Sequence, residues 1–216
     1  VTYAGIIASQ HETAERIPHD HYPTPQDALE SIADSFHWQD AKSILDIGAG
    51  DGRWGLQFSY YCSSPYLAGV ELRDTPKPAG FNDWYVMDYT QPLFRMQMTP
   101  NQFDLIVGNP PFKVAEQIIS GAFEQLSPTG RMLMLLPSDF LHSVNRSRGL
   151  LTGRPPYRVI HIADRIDFTG SGNPHQYMSL LEWHNDCRQK VGMWYGQTWA
   201  WKANVRDWTG RDGGEM

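Results

Sequence analysis

Cysteine is scarce in this chain of 216 residues: Cys62 and Cys187 are the only two, and they form no CxxC spacing. That scarcity excludes a disulfide framework and a cysteine-based zinc site, and it fits a reducing, cytoplasmic setting. No apolar run approaches the roughly 18 residues of a membrane span, so a soluble globular protein without membrane association is expected. A basic-then-apolar start is also missing, and no signal peptide is expected. No internal repeat and no low-complexity tract occurs. No Lys-Ser or Lys-Thr follows the glycine-rich segment, which excludes a P-loop. No Gly-x-Ser-x-Gly is present, so Ser138-Asp139 is not a hydrolase signature. His19 and His21 sit in a polar segment with no third ligand nearby in sequence, and no metal site is expected there.

What remains is an ordinary globular composition, 41% hydrophobic, in a chain long enough to bury a sizeable core. The net charge is -6, which at first speaks against nucleic acid. The charge is uneven, however. Residues 1–130 carry 7 Lys and Arg against 16 Asp and Glu, whereas residues 131–216 carry 11 against 8. An acidic front and an arginine-bearing back would form a polarised surface; ordinary surface variation explains the asymmetry equally well.

Three regions are expected: a polar segment at 1–21 with a weak helical stretch from Glu12 to Arg16, a catalytic domain at 22–185, and a tail at 186–216 rich in Trp and polar residues. Ala28, Leu29, Ile32, Ala33 and Phe36 recur at helical spacing, predicting an amphipathic helix over Gln26 to Phe36 that Pro25 can start. Strands are predicted at Ser43 to Ile47, Tyr66 to Leu72, Trp84 to Met87, Phe103 to Gly108 and Arg131 to Leu136. Helices are predicted at Arg53 to Tyr61 and Val114 to Leu126, the second ended by Pro128 and Gly130. Asp74 to Asn82 reads as loop. Arg158 to Ala163 and Gln176 to His184 read as strands that pair in a hairpin across the Gly170 to Pro174 turn region. Strands alternating with helices over 43–136 indicate a mostly parallel α/β sheet with helices on both faces. Ligands of such sheets bind beyond the carboxyl ends of the strands. Asp46, Glu71, Asp88 and Asn109 all fall at those ends.

Asp46-Ile47-Gly48-Ala49-Gly50-Asp51-Gly52 is a glycine-rich turn from strand to helix. Its glycines permit a sharp turn and close ligand approach. Acids before and among the glycines would repel a diphosphate but tolerate a cationic or amine-bearing cofactor. Glu71, about 20 residues further on, can accept two hydrogen bonds from ribose hydroxyls, or it is a solvated strand-end carboxylate. Asp88 can accept from an exocyclic amine and so select adenine, or it is a turn residue. Asn109-Pro110-Pro111-Phe112 follows the apolar strand Leu105-Ile106-Val107. Two prolines remove two amide donors and leave a site rich in acceptors, beside an aromatic face. That combination suits a planar group bearing an amine.

These residues together resemble the S-adenosylmethionine-dependent amino methyltransferases. Asn109-Pro110-Pro111-Phe112 is similar to the catalytic motif of the N6-adenine enzymes, and its order after the glycine turn matches them. Tyr22-Pro23-Thr24-Pro25 resembles the segment preceding the glycine motif in gamma-type DNA adenine methyltransferases. Gly130 through Leu141 looks like their fifth strand and loop, and Phe168 to Trp183 like the closing hairpin of small phage and prophage members. The resemblance implies a Rossmann-like class I methyltransferase fold with a C-terminal antiparallel hairpin, and S-adenosylmethionine as cofactor. It implies that Tyr22, Pro23, Thr24 and Pro25 cover the methionine part, which Asp46, Gly48 and Gly50 shape. Glu71 would hold the ribose and Asp88 the cofactor's adenine. Asn109 and the Pro110 carbonyl would accept from the target N6 amine, and Phe112 would stack on the target base.

Gamma-type enzymes that read long sites carry a large recognition region after the catalytic domain, and here about 30 residues follow His184. High sequence specificity is therefore in doubt, and a dimer or a specificity partner would supply it. Arg146, Arg148, Arg154, Arg158 and Arg165, with Trp194, Trp199 and Trp201, are candidate substrate contacts. Arg146 and Arg148 are retained, because they follow the expected substrate-side loop after Asp139; surface Arg and core Trp describe the rest better. DNA is the preferred substrate and RNA the alternative. A protein glutamine methyltransferase or a silent cofactor-binding module fits Asn109 and Phe112 less well.

Overall fold

The protein is described by a computed structural model over residues 23–36, 38–91, 97–172, 174 and 176–186, with the backbone alone of 195–198. The segment 1–21, Tyr22, Cys187, Trp194, Trp199 and Trp201 lie outside the described residues.

Helix α1 (Gln26–Asp34) starts just after Pro25, which stands at its N-cap, and buries Ala28, Leu29, Ile32 and Ala33. The chain then alternates through β1 (Ser43–Ile47), α2 (Arg53–Ser59), β2 (Tyr66–Glu71), β3 (Asp83–Val86), β4 (Phe103–Gly108), α3 (Ala115–Ala122) and β5 (Leu126–Pro137). A 3₁₀ turn at Ser138–Leu141 and two short helices, α4 (Val144–Arg148) and α5 (Leu150–Gly153), lead to β6 (Arg158–Ile162), β7 (Met178–His184) and β8 (Tyr195–Thr198). The strands form one sheet in the order β3-β2-β1-β4-β5-β7-β6-β8. All pairs are parallel except those that β7 makes with β5 and β6.

The expected hairpin of 158–163 and 176–184 is present as an antiparallel β6–β7 pair. Its place in the sheet was not readable: β7 slots between β5 and β6, so β6 runs parallel to the first five strands. Of the run Phe168 to Trp183, only the part from Met178 is strand, so the hairpin's first strand lies further upstream. The tail contributes an edge strand, β8, beside β6.

Helix α3 is shorter than expected. It ends at Ala122 rather than Leu126, because the amides of Glu124 and Gln125 turn back onto Gly121 and Ala122. The carbonyls of Glu124 and Gln125 then receive the amides of Asn101, Gln102 and Phe103, which draws Leu126 into the sheet opposite Phe103. Pro128 and Gly130 fall in the register shift that follows, between the Phe103–Leu126 and Leu105–Arg131 pairs. An irregular start to the strand is where proline is tolerated.

Side chains alternate across the sheet and build two apolar layers. Leu45, Ile47, Ile106, Met132 and Met134 pack with Ile118, Ile119 and Ala122 of α3. Ile44, Leu105, Val107, Leu133 and Leu135 pack with α1 and with Trp54 and Phe58 of α2. The chain turns one way from β1 to β2 and β3, and the other way to β4 and β5. The crevice between the ends of β1 and β4 is thus a topological switch point.

Candidate functional site

The glycine turn leaves β1 and lies over the end of β2, with the amides of Gly48 and Ala49 both donating to the Val70 carbonyl at 3.0 Å. Gly48, Gly50 and Gly52 all take positive φ (67°, 62° and 82°), a region that side chains rarely adopt. Gly48 also faces the other half of the site. A Cβ there would stand 3.2 Å from Tyr89 Oη and 3.6 Å from Pro110 Cα. Gly108, just before Asn109, is tighter still: a Cβ would meet the Ile47 carbonyl oxygen at 2.4 Å. Glycine at 48 and 108 therefore lets the Asn-Pro-Pro segment close onto the turn.

The acids of the turn serve the start of α2. Asp46 Oδ2 accepts from the Gly55 amide at 2.8 Å. Asp51 Oδ1 accepts from the Arg53 amide at 3.2 Å, and its two oxygens take the Arg53 guanidinium. The amides that would hold a diphosphate are thus taken by the protein's own carboxylates. Burial raises the Asp46 carboxyl well above the usual range, and the neighbouring Asp51 and Glu71 charges add to the rise. Its second oxygen, Oδ1, is buried with no hydrogen-bond partner among the described residues.

Glu71 is only 6% exposed. Its Oε2 accepts from the Gly50 amide at 2.7 Å, and its Oε1 from the Arg73 amide and side chain at 3.0 and 2.8 Å. Burial alone would raise this carboxyl, but the bonds from Arg73 and Gly50 outweigh it and hold it below the ordinary value. A carboxylate offers about four acceptor positions. Three are taken here, so a two-point grip on ribose requires the Arg73 side chain to release Oε1. Asp88 is exposed, and its Oδ1 accepts from the Thr90 amide and hydroxyl at 3.0 and 2.7 Å. These bonds hold its carboxyl below the usual range. The turn role and a place on the cleft wall coexist at Asp88.

These groups line one cleft of about 200 Å³, with Pro23, Thr24, Gly48, Gly50, Glu71, Asp88, Asn109 and Pro111 all on its wall. The structure therefore brings together expected residues from five separate stretches of chain. Asp46 lies beneath the turn rather than on the wall, and Pro25 serves the start of α1. Pro110 is buried, and Phe112 is half-buried against the layer that holds α1 and α2, away from the cleft lining. Arg146 and Arg148 sit on α4, beyond the carboxyl end of β5, and do not line the cleft. The Arg146 guanidinium stacks over Phe140 at 4.4 Å, while Arg148 is exposed. The remaining arginines have structural partners: Arg154 lies over Phe123, Arg158 pairs with Glu182, and Arg165 bonds Tyr177 Oη and the Pro174 carbonyl.

Sequence reasoning missed Arg53, Trp54, Arg73 and Tyr89, all on the cleft wall. Arg53 and Trp54 read as the first residues of an amphipathic helix, and nothing in their spacing shows that they face a cleft. Tyr89 carried one usable signal, an aromatic ring next to a strand-end acid. Its phenol is pushed up by burial and by the Glu71 and Asp88 carboxylates, so it stays protonated.

No family model matches this chain, and no curated protein matches it. Solved structures do. A class I S-adenosylmethionine-dependent methyltransferase, so described provisionally, from Listeria monocytogenes superposes with a TM-score of 0.63 at 12% identity, over 92% of this chain and 71% of that one. The modification subunit of a provisionally assigned type I restriction enzyme from Vibrio vulnificus YJ016 gives 0.60 at 14% identity, over 90% of this chain. This chain spans 50% of that subunit's length. A protein from Pyrococcus horikoshii, provisionally an RNA methyltransferase, gives 0.57 at 15% identity, over 82% and 94% of the two chains. The fold is thus the Rossmann-like α/β fold of the class I methyltransferases.

Proposed function

We propose that the protein is a methyltransferase that moves a methyl group from S-adenosylmethionine to the exocyclic N6 amine of adenine in DNA. One observation carries this reading: Asn109-Pro110-Pro111 closes onto the Gly48 turn at the switch point, so that Asn109 shares a cleft with Glu71 and Asp88. An amine acceptor and a nucleoside-binding acid in one cleft suit adenosyl-dependent methylation of an amine. The donor set fits the cofactor. The wall carries Asp51, Glu71 and Asp88, and its two arginines, Arg53 and Arg73, are each paired with one of those acids. Such a wall favours a positively charged ligand with ribose hydroxyls over a diphosphate.

In this reading Glu71 takes the ribose, Asp88 the adenine amine, and Pro23, Thr24 and the glycine turn the methionine end. Bound S-adenosylmethionine supplies an already activated methyl group. The protein's task is then alignment more than strong base catalysis. The target amine is a poor nucleophile because its lone pair is delocalised into the ring. The Asn109 oxygen and the Pro110 carbonyl accept hydrogen bonds from its two N–H groups and so localise that lone pair. The amine grows acidic as its new bond forms and passes a proton to water. A base in duplex DNA must first leave the stack, which costs a few kcal/mol. Arg146 and Arg148, further along the sheet edge, receive the nucleic acid, and Phe112 meets the base only if its ring leaves the layer that holds α1 and α2.

RNA is the second reading, supported by the acidic balance of the chain and the Pyrococcus horikoshii likeness. The test is incubation with labelled S-adenosylmethionine and either unmethylated DNA or unmodified RNA, followed by digestion to nucleosides. Labelled N6-methyladenine from DNA is expected. Label in RNA alone would select the second reading, and no label in either would remove both. Asn109→Ala is expected to lower kcat by about 10²- to 10³-fold, by analogy with removal of one transition-state hydrogen-bonding group.

A further inference from the structure

Thr24 joins the two halves of the cleft through a single hydroxyl. Its Oγ1 receives the Trp54 indole N–H at 2.9 Å and the Asn109 side-chain Nδ2 at 3.3 Å. Its carbonyl receives Arg53 at 2.6 Å, and Arg53 forks at the same time onto Asp51. Two consecutive residues of α2 thus clamp Thr24 from both ends. The clamp is rigid: Thr24 is 1% exposed, Trp54 is 3% exposed, and the Trp54 ring stacks on Phe58 at 5.9 Å. An indole N–H is a donor only, so Oγ1 must face Trp54 as an acceptor. The NH₂ end of the Asn109 amide donates to the same oxygen, so both lone pairs are taken and the Thr24 O–H turns away from Asn109. The two ends of an amide are chemically opposite. With the NH₂ end held at Thr24, the oxygen faces the other way. A flipped amide would set donor against donor at a substrate amine.

We infer that Thr24, anchored by Trp54, is a positioning residue that fixes the polarity of the Asn109 amide and so presents its oxygen to the reacting amine. This inference rests on the methyltransferase reading for its catalytic consequence, but the contact itself does not. It differs from a covering role over the cofactor, because it acts on the methyl acceptor's partner. The path spans 85 residues of sequence between Thr24 and Asn109 and 30 between Thr24 and Trp54, which no motif spacing reveals.

The test uses Thr24→Val, which keeps the shape and removes the hydroxyl, Thr24→Ser, which restores it, and Trp54→Phe, which keeps the ring against Phe58 and removes the N–H. In full-length protein the expected result is a kcat loss of about 10- to 100-fold for Thr24→Val, the scale of a small misplacement at a reacting centre. Cofactor Kd should rise by a smaller factor than kcat falls, because Pro23 and the glycine turn still line the same wall. Thr24→Ser should stay within about threefold of the parent in kcat, and Trp54→Phe should fall between the two. A loss confined to cofactor Kd, or an equal loss in Thr24→Val and Thr24→Ser, would overturn the inference. A second readout is independent of turnover: the side-chain amide NMR signals of Asn109, assigned by their loss in Asn109→Ser. Thr24→Val should shift them and speed their exchange, and unchanged signals would overturn the inference. Shifted signals in a protein that methylates neither DNA nor RNA would leave the contact standing and remove the proposed function.

Discussion

Two buried glutamates, Glu71 and Glu182, are 6% and 2% exposed and belong to the same sheet, yet they do different work. Glu71 ends β2 at the carboxyl edge. It is held by two main-chain amides and one arginine, and it keeps an acceptor position toward the cleft. Glu182 lies within β7, opposite Leu133 and Arg158. Its partners are the side chains of Arg158 and His184, each at 2.7 Å, and it does not line the cleft that holds Glu71. His184 in turn stacks on Tyr157, and Arg158 lies over Phe36. Burial alone would raise the carboxyl of Glu182, but His184 and Arg158 outweigh it and hold it low, as Arg73 and Gly50 do for Glu71. A depressed acid therefore does not identify a site. Its position at a strand end, on the wall of a cleft, does.

That contrast can be broken by substitution. The largest effect on stability is expected from Glu182→Ala, which strands Arg158 beside an apolar layer. A broken buried pair costs several kcal/mol, and because Arg158 is 40% exposed, about 2–3 kcal/mol is expected, or roughly 5–10 °C in Tm. Cofactor Kd should move less than about twofold. Calorimetry with and without cofactor checks both numbers. Glu71→Ala should invert the pattern, weakening cofactor binding about 10- to 100-fold, the scale of one or two charged hydrogen bonds. Its unliganded Tm should fall by less than half the loss in Glu182→Ala; an equal fall would erase the distinction drawn between the two acids.

Acid titration sharpens the same comparison. Because the folded-state carboxyl of Glu182 is depressed, its stabilisation is present above the ordinary glutamate range near about 4.3 and is lost as pH falls through the lower folded value. The Tm gap between the parent and Glu182→Gln should thus be full at neutral pH and close in acid. Asp46 runs the other way. Its folded-state carboxyl is raised, so it holds its proton longer than the unfolded chain does, and stability falls as pH climbs past the ordinary range near about 3.9. Asp46→Asn keeps an acceptor for the Gly55 amide and removes that cost. It should match or exceed the parent's Tm at pH 7 by a few degrees, with the gain vanishing near about pH 4. A lower Tm at pH 7 would show the ionised carboxylate to be stabilising.

Much of this architecture was legible because it rests on local rules. Short, nearly continuous apolar runs marked β1, β2 and β4, and the glycines marked the turn that φ values of 67° and 62° at Gly48 and Gly50 require. Asp46, Glu71, Asp88 and Asn109 stood at strand ends in the sequence and stand there in the fold. What failed did so for nonlocal reasons. Helix α3 stops early because main-chain carbonyls at 124 and 125 pair with the start of β4, a contact across more than 20 residues. Strand β7 lies between β5 and β6 because insertion buries both of its faces, leaving Leu180 and Leu181 fully covered. Sequence spacing distinguishes a hairpin, but not which edge of the sheet the hairpin enters.

The chain's own order of residues set the strand-helix alternation, the glycine turn and the row of polar groups at strand ends, since each depends on periodicity or on backbone freedom within a few residues. Tertiary structure alone decided how those groups are spent. It gave Asp46 to a helix start, three acceptor positions of Glu71 to Gly50 and Arg73, and the Asn109 amide to Thr24. Hydrogen-bond partners are chosen by proximity in space, and residues 24, 54 and 109 become neighbours only once the sheet has closed its switch point.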